Sequence, residues 1–187
     1  MTIPLRKISY VSLGMHRMSA VSTQKIVKLA VVGDGGVGKS TLISRLATGE
    51  FIDKNMTVGF DVESWTISTN DDSEAIKVAC FDFGGQKQFR FFQGSLILGS
   101  KIALIVFDCN SYRSLTKIGE WMDLLNGVPN DKKLLVGTKL DVGTCITDKD
   151  IQKIADEFGI DYILVSSKTG ENFQQLISQL TVMVDEL

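Results

Sequence analysis

The chain has 187 residues, enough for one domain with a substantial core and too few for two comfortable ones. Apolar residues make up 44% of it, yet no apolar run approaches the ~20 residues needed to span a bilayer, so we expect no transmembrane helix. The formal net charge of −2 gives no basic footprint for nucleic acid, and we expect no nucleic-acid partner.

The first 24 residues differ in composition from the rest. They contain no Asp or Glu, several Ser, and the basic side chains of Arg6, Lys7 and Arg17. We expect a flexible N-terminal extension over 1–24, with transient membrane contact as the alternative, and one domain over 25–187. Residue 2 is Thr2 rather than Gly, and no Cys precedes Leu187 at a prenylation spacing, so we expect no stable membrane anchor.

The first predicted strand, Ile26 to Val32, leads into a glycine-rich loop and then into a helical run from Thr41 to Thr48. The loop reads Gly33-Asp34-Gly35-Gly36-Val37-Gly38-Lys39-Ser40, which is the pattern G-x-x-x-x-G-K-[ST] in its strand-loop-helix context. Its glycines let backbone N–H groups face an anion at the positive end of the following helix. We therefore predict that Asp34 to Thr41 cradle phosphates, with Lys39 reaching the β- and γ-phosphates and Ser40 ligating Mg²⁺. A glycine-rich turn without a ligand is the alternative.

Strand-length and helix-period segments alternate along the rest of the chain. Helical spacing connects the apolar residues from Leu115 to Leu125 and from Phe173 to Val184, and Gly49 and Gly159 suit helix ends. The remaining strand candidates are Asp61 to Ile67, Ile76 to Asp82, Ile102 to Asp108, Lys133 to Gly137 and Tyr162 to Val165.

The character of these runs predicts the sheet. The run from Ile102 to Phe107 is wholly apolar, which is typical of a parallel strand buried on both faces. The turn-rich link 70–73 is too short for a crossover, so the two strands that flank it should form an antiparallel hairpin. We predict an α/β fold, a doubly wound, mostly parallel six-stranded sheet with one antiparallel strand and with ligands at the carboxyl ends of its strands.

Three polar stretches come directly after predicted strands. Asp82 would project at the carboxyl edge of the sheet, where it can hold Mg²⁺ through water. Thr138-Lys139-Leu140-Asp141 follows a later strand, and Ser166-Ser167-Lys168 follows the last one. With the glycine-rich loop, their order and placement resemble the small GTPases of the Ras superfamily, a P-loop NTPase fold, from about Lys25 onwards. The motifs mix Arf-like, Rho-like and Roc-like features and leave the subfamily open.

The resemblance implies a guanine site. Guanine presents two adjacent donors, and a carboxylate that accepts both selects it over adenine; Asp141 is that carboxylate in the family pattern. Lys139 would lie along the base plane, and the backbone N–H of Ser167 would meet guanine O6, flanked by Ser166 and Lys168. Thr138 stands where Asn is usual in the family. Phe51 is a candidate edge-on neighbour of the base, or a helix-end packing residue.

The resemblance also implies two nucleotide-sensing loops. Thr57 resembles the threonine that coordinates Mg²⁺ and senses the γ-phosphate. Gln86 would position the attacking water, because an amide can donate and accept together, while Gly85 would donate its N–H to the γ-phosphate beside Lys39. Three aromatic residues follow Gln86 and would either cap the core or anchor an effector: Phe89, Phe91 and Phe92.

We therefore expect a cytoplasmic, monomeric, Mg²⁺-dependent switch that hydrolyses GTP to GDP. An effector, an exchange factor and a GTPase-activating protein are the partners that the family implies. Residues 50–56 contain no arginine, so intrinsic hydrolysis should be slow, on the order of 10⁻⁴ to 10⁻² per second. Two alternatives remain: an interaction module that holds the nucleotide with little turnover, and an ATP-using P-loop kinase or ATPase.

Overall fold

The structure is a computed structural model that describes residues 25–54, 60–68, 75–83 and 90–187. The predicted extension 1–24, the loop residues Thr57, Gly85 and Gln86, and the side chains of Phe89, Phe91 and Phe92 lie outside this description.

All six predicted strands are present, each within one residue of its predicted ends. They are β1 (Ile26–Val32), β2 (Phe60–Ser68), β3 (Ala75–Phe83), β4 (Ile102–Asp108), β5 (Lys133–Thr138) and β6 (Asp161–Leu164). The described α-helices are α1 (Lys39–Thr48), α2 (Arg90–Ile97), α3 (Tyr112–Thr116), α4 (Ile118–Leu124), α5 (Asp148–Phe158) and α6 (Phe173–Asp185).

The strands form one sheet in the order β2-β3-β1-β4-β5-β6. Neighbouring strands from β3 to β6 are parallel, whereas β2 pairs antiparallel with β3 in a register that places Asp61 opposite Asp82. The predicted doubly wound sheet with one antiparallel strand is confirmed. The parallel strands bring their carboxyl ends to one edge, so Gly33, Asp82 and Thr138 all lie there.

Two apolar layers cover the sheet. In β4 alternate side chains enter opposite layers, because successive residues of a strand point to opposite faces. Leu104 packs in the layer that contains α1 and α6, whereas Ile105 packs in the layer that contains α3, α4 and α5. Both residues are fully buried, which explains why the sequence of this strand is apolar without alternation.

Two helical features differ from the sequence expectation. The predicted run from Leu115 to Leu125 is divided, since α3 ends before Lys117 and α4 begins after it, although the apolar face stays buried. The end of helix α5 at Gly159 is as predicted, but its start at Asp148 was not predicted. A capping box at its start could have indicated it: Thr147 Oγ1 accepts from the Asp150 N–H, and the Asp150 carboxylate accepts from the Thr147 N–H.

Candidate functional site

The glycine-rich loop joins β1 to α1 and is seated on β4. Gly33 has φ 147°, and a Cβ atom built on it would lie 2.2 Å from the carbonyl oxygen of Val106. Only glycine fits at this position, because both the backbone angle and the contact exclude a side chain. The contact fixes the start of the loop against a central strand.

Lys39 lies in the floor of this loop with 5% of its surface exposed. Its ammonium group donates to the carbonyl oxygens of Gly33 at 2.9 Å and Asp34 at 2.8 Å. Burial lowers the pKa of Lys39 to about 8, although the carboxylates of Asp82 and Asp34 act in the opposite direction. An anionic phosphate at the loop would raise this pKa, so the lysine is suited to a polyphosphate ligand.

Ser40 and Asp82 place two oxygen ligands together. The Ser40 hydroxyl donates to Oδ2 of Asp82, which is 3% exposed at the end of β3. Among the described residues, no group of three or more His, Cys, Asp or Glu side chains could hold a metal ion by itself. Because Mg²⁺ is commonly held by one or two protein oxygens together with substrate phosphates, this pair fits Mg²⁺ bound with a nucleotide.

A cavity of about 220 Å³ lies beside the loop. Asp141 is exposed in its wall, and behind it the fully buried Ser166 hydroxyl donates to Asp141 Oδ1 at 2.6 Å. The hydroxyl oxygen of Ser167 is buried and has no hydrogen-bond partner among the described residues, so this wall offers a polar group to a ligand. The cavity is lined by Gly38, Thr41, Phe51, Asp53, Thr138, Lys139, Asp141, Val142, Ser167 and Lys168.

Two residues tie this cavity to the glycine-rich loop. Thr138 Oγ1 lies 2.5 Å from the carbonyl oxygen of Val37 and 3.0 Å from that of Phe107, so its one proton is shared between the loop and β4. Lys139, at φ 61°, donates from Nζ to the carbonyl oxygen of Gly36 at 2.8 Å. The threonine that departs from the family pattern therefore still reaches the loop.

Sequence reasoning missed two ion pairs at this edge. Lys139 Nζ lies 2.8 Å from Asp108 Oδ2, and Lys117 Nζ lies 2.6 Å from Asp34 Oδ2. Asp108 ends a strand as Asp82 does, and that position was the available signal. Lys117 lies at the break between α3 and α4 and belongs to no motif.

No described helix is both long and apolar enough to cross a membrane.

Comparison with known proteins identifies the family. The model of the Ras family matches residues 28–186. Ras-related protein Rab-1D of Dictyostelium discoideum is 34% identical over 153 residues, which cover 79% of this chain and 74% of that protein. Ras-related protein SEC4 of Saccharomyces cerevisiae is 31% identical over 169 residues, which cover 88% of this chain and 78% of that protein. GTP-binding protein YPTM2 of Zea mays is 30% identical over 166 residues, covering 86% and 81%.

Rab-related proteins are thus among the relatives, a subfamily that the mixed motif features did not single out. The matched region contains the glycine-rich loop, the Asp82 stretch and both cavity loops. The chain therefore belongs to the Ras family of small GTPases.

Proposed function

We propose that this GTPase is a Mg²⁺-dependent molecular switch that holds one guanine nucleotide across the glycine-rich loop and the adjoining cavity. The observation that carries the proposal is the direct link between these two parts, from Lys139 Nζ to the Gly36 carbonyl oxygen. A shared wall of this kind suits a ligand with a base at one end and phosphates at the other. The matched relatives include a protein named as GTP-binding, which agrees with this ligand.

At the phosphate end, each residue has a separate task. Lys39 would pair with the β- and γ-phosphates, and the backbone N–H groups from Gly35 to Ser40 would face them at the start of α1. Ser40 and Asp82 would hold Mg²⁺, the latter through water, and Thr57 would complete the metal site from its loop. Mg²⁺ held there would supply neutralisation of the phosphate charge.

At the base end, Asp141 would accept hydrogen bonds from the two guanine donors. Its orientation is supported by the hydrogen bond from Ser166. Lys139 would lie along the base, and Phe51, which is 42% exposed on the cavity wall, would flank its edge. The Ser167 N–H would meet O6. Adenine would leave the carboxylate facing an acceptor, which is costly for a buried contact.

Hydrolysis would depend on Gln86 and Gly85, with Gln86 positioning the water and Gly85 donating to the γ-phosphate. Among the described residues, no heavy atom lies within 4 Å of a Cβ atom built on Gly35 or Gly36. This open space would admit Gln86 and an arginine supplied by an activating partner. Without that partner we expect turnover on the order of 10⁻⁴ to 10⁻² per second.

The nucleotide that co-purifies with the protein tests the ligand. Released nucleotide should be GDP or GTP when the protein is denatured and the supernatant is separated by ion-exchange chromatography. Retained ATP or ADP would instead favour the ATP-using kinase or ATPase and would contradict guanine selection by Asp141.

Single-turnover hydrolysis of bound GTP tests the catalytic roles. Gln86→Leu should slow it at least tenfold, whereas an unchanged rate would remove Gln86 from the mechanism.

Gly35→Val should slow hydrolysis while GTP stays bound, because the new side chain fills the space beside the γ-phosphate. Loss of nucleotide binding in Gly35→Val would contradict this role of the loop. A wild-type rate of several per second would contradict the need for a partner arginine, and a wild type that binds GTP without turnover would favour the interaction module.

The protein partners and the cellular compartment that we propose follow from the function as a molecular switch. We propose an effector, an exchange factor and a GTPase-activating protein, because slow release and slow hydrolysis both need acceleration in a usable switch. The protein would act as a cytoplasmic monomer, with transient membrane contact through residues 1–24.

A further inference from the structure

Arg45 connects α1 to the loop between β6 and α6. It lies five residues after Ser40 along the helix that begins at the glycine-rich loop. Its Nη1 donates to the carbonyl oxygen of Ser167 at 2.6 Å and lies 3.4 Å from that of Lys168. The side chain that makes these contacts starts from the phosphate end of the site and ends at its base end.

The guanidinium group has two further neighbours, one at the start of α6 and one in the same loop. Its central carbon lies 5.1 Å from the ring centroid of Phe173, within the range of a cation–π contact. Gly170 has φ 86°, and a Cβ atom built on it would lie 2.5 Å from Arg45 Nη2. The loop therefore uses a glycine where the arginine approaches its backbone.

An arginine suits this position better than another cation would. The guanidinium is planar, always charged and carries several donors in a fixed arrangement, so one group can bond a carbonyl and stack on a ring at once. A lysine would keep the charge but offer a single centre without the planar face. A hydrogen bond from a charged donor is also stronger than a neutral one, which fixes the Ser167 carbonyl firmly.

We propose that Arg45 is a positioning residue for base recognition. By holding the Ser167 carbonyl, it fixes the peptide plane that follows Ser167, and the constrained backbone of this residue then keeps its N–H facing O6 of guanine. Recognition of O6 then depends on α1, the helix whose first turn contains Lys39 and Ser40. The proposal rests on the proposed guanine site and adds a residue that links its two ends.

Nucleotide analogues separate this role from a merely structural one. GDP should be compared with the analogues 6-thio-GDP and IDP, and also with ADP, by calorimetric titration of the full chain at pH 7. The first analogue replaces O6 by a poorer acceptor, sulfur, and the second lacks the exocyclic amine that Asp141 would read. Arg45→Gln should weaken GDP binding about tenfold and 6-thio-GDP binding much less, so the preference for GDP over 6-thio-GDP collapses.

The preference for GDP over IDP should survive in Arg45→Gln, because Asp141 is untouched. Arg45→Lys should keep part of the preference for O6 and carries the test if Arg45→Gln does not fold. Lys153→Gln, which removes an exposed cation on α5, serves as the matched control and should behave as wild type.

Equal weakening of GDP, 6-thio-GDP and IDP binding, or no weakening, in a folded Arg45 variant would overturn the positioning role. A wild-type protein that does not prefer GDP over ADP would instead contradict the proposed function itself. The two failures are therefore distinguishable in one set of titrations.

Discussion

The phosphate end and the base end of the site are built on opposite plans. At the phosphate end the charged side chains of Lys39 and Asp82 are buried, with 5% and 3% of their surfaces exposed. At the base end the Asp141 carboxylate is exposed, and the buried hydroxyl group of Ser166 orients it from behind. Burial of the Lys39 ammonium group carries a desolvation cost that a bound phosphate relieves. The Asp141 carboxylate, by contrast, is oriented before any ligand binds.

The two ends are nevertheless joined by direct bonds. Thr138 and Lys139 reach the carbonyl oxygens of the glycine-rich loop, and Arg45 reaches back from α1 to the Ser167 carbonyl. A substitution at one end should therefore alter nucleotide binding at the other end, by an amount that depends on which hydrogen bond it removes. The following substitutions test this view, from the largest expected effect to the smallest.

Gly33→Ala should lower the free energy of unfolding by about 4 kcal/mol, because the new methyl group meets the Val106 carbonyl oxygen at an unfavourable φ. Urea unfolding followed by circular dichroism measures this. Gly35→Ala is the matched control, because no heavy atom of the described part of the chain lies within 4 Å of its Cβ, and should change stability by no more than about 0.5 kcal/mol. Equal stability of the two variants would mean that the loop is not seated on β4.

Asp141→Asn should weaken GDP binding about a hundredfold, because an amide group cannot accept both guanine donors with equal geometry. Calorimetric titration against GDP and ADP gives the two dissociation constants, and only the first should change. Asp53→Asn, on the same cavity wall, is the control and should shift GDP affinity less than threefold. A similar loss in both variants would indicate a general charge effect rather than base recognition.

The affinity for GDP should fall as the pH rises above about 8. The pKa of Lys39 is about 8 in the free protein and is raised by bound phosphates, so binding takes up a proton above that pH. The dissociation constant should be flat below pH 7.5 and should rise by up to about tenfold per pH unit above 8. Lys39→Arg stays charged throughout and should give a flat profile between about pH 7 and 9. A wild-type profile as flat as this one would show that Lys39 is already fully charged in the free protein.

Thr138→Val should lower the free energy of unfolding by about 1 kcal/mol, because the Val37 carbonyl loses its donor. GDP dissociation, followed with a fluorescent analogue, should accelerate about fivefold, since the loop is less firmly held. Thr181→Val removes a hydroxyl that bonds only within α6, to the Ile177 carbonyl, and should match wild type in both measurements. Unchanged dissociation in Thr138→Val would leave the two ends of the site independent.

The sheet could be predicted because its signals are local. Each strand is an apolar run with its own ends, and the glycine-rich loop is a contiguous pattern whose flanking elements can be checked in the same sequence. Asp82 and Asp141 could be found because each lies at or just after the carboxyl end of a strand. Thr57, Gly85 and Gln86 stay predictions of the same kind, since they lie outside the described residues.

The contacts between distant side chains could not be predicted. Arg45 meets the Ser167 carbonyl across 122 positions of the chain, and Lys117 meets Asp34 across 83. Neither cation belongs to a motif: Arg45 lies on α1 and Lys117 lies between α3 and α4, and basic residues are ordinary at both places. The division between α3 and α4 at Lys117 could not be predicted either, because the apolar spacing continues through it.

The buried ammonium group of Lys39 also has a practical consequence for handling the protein. With its pKa at about 8 against 10.5 in an unfolded chain, this group makes the nucleotide-free protein less stable at pH 7 by about 3 kcal/mol than it would be at high pH. Preparations at neutral pH should therefore retain nucleotide-loaded molecules selectively, since ligand binding offsets the loss of stability that burial of the ammonium group causes. A mildly alkaline buffer would loosen the nucleotide and support the emptied fold at the same time, and is the condition in which to prepare a nucleotide-free sample.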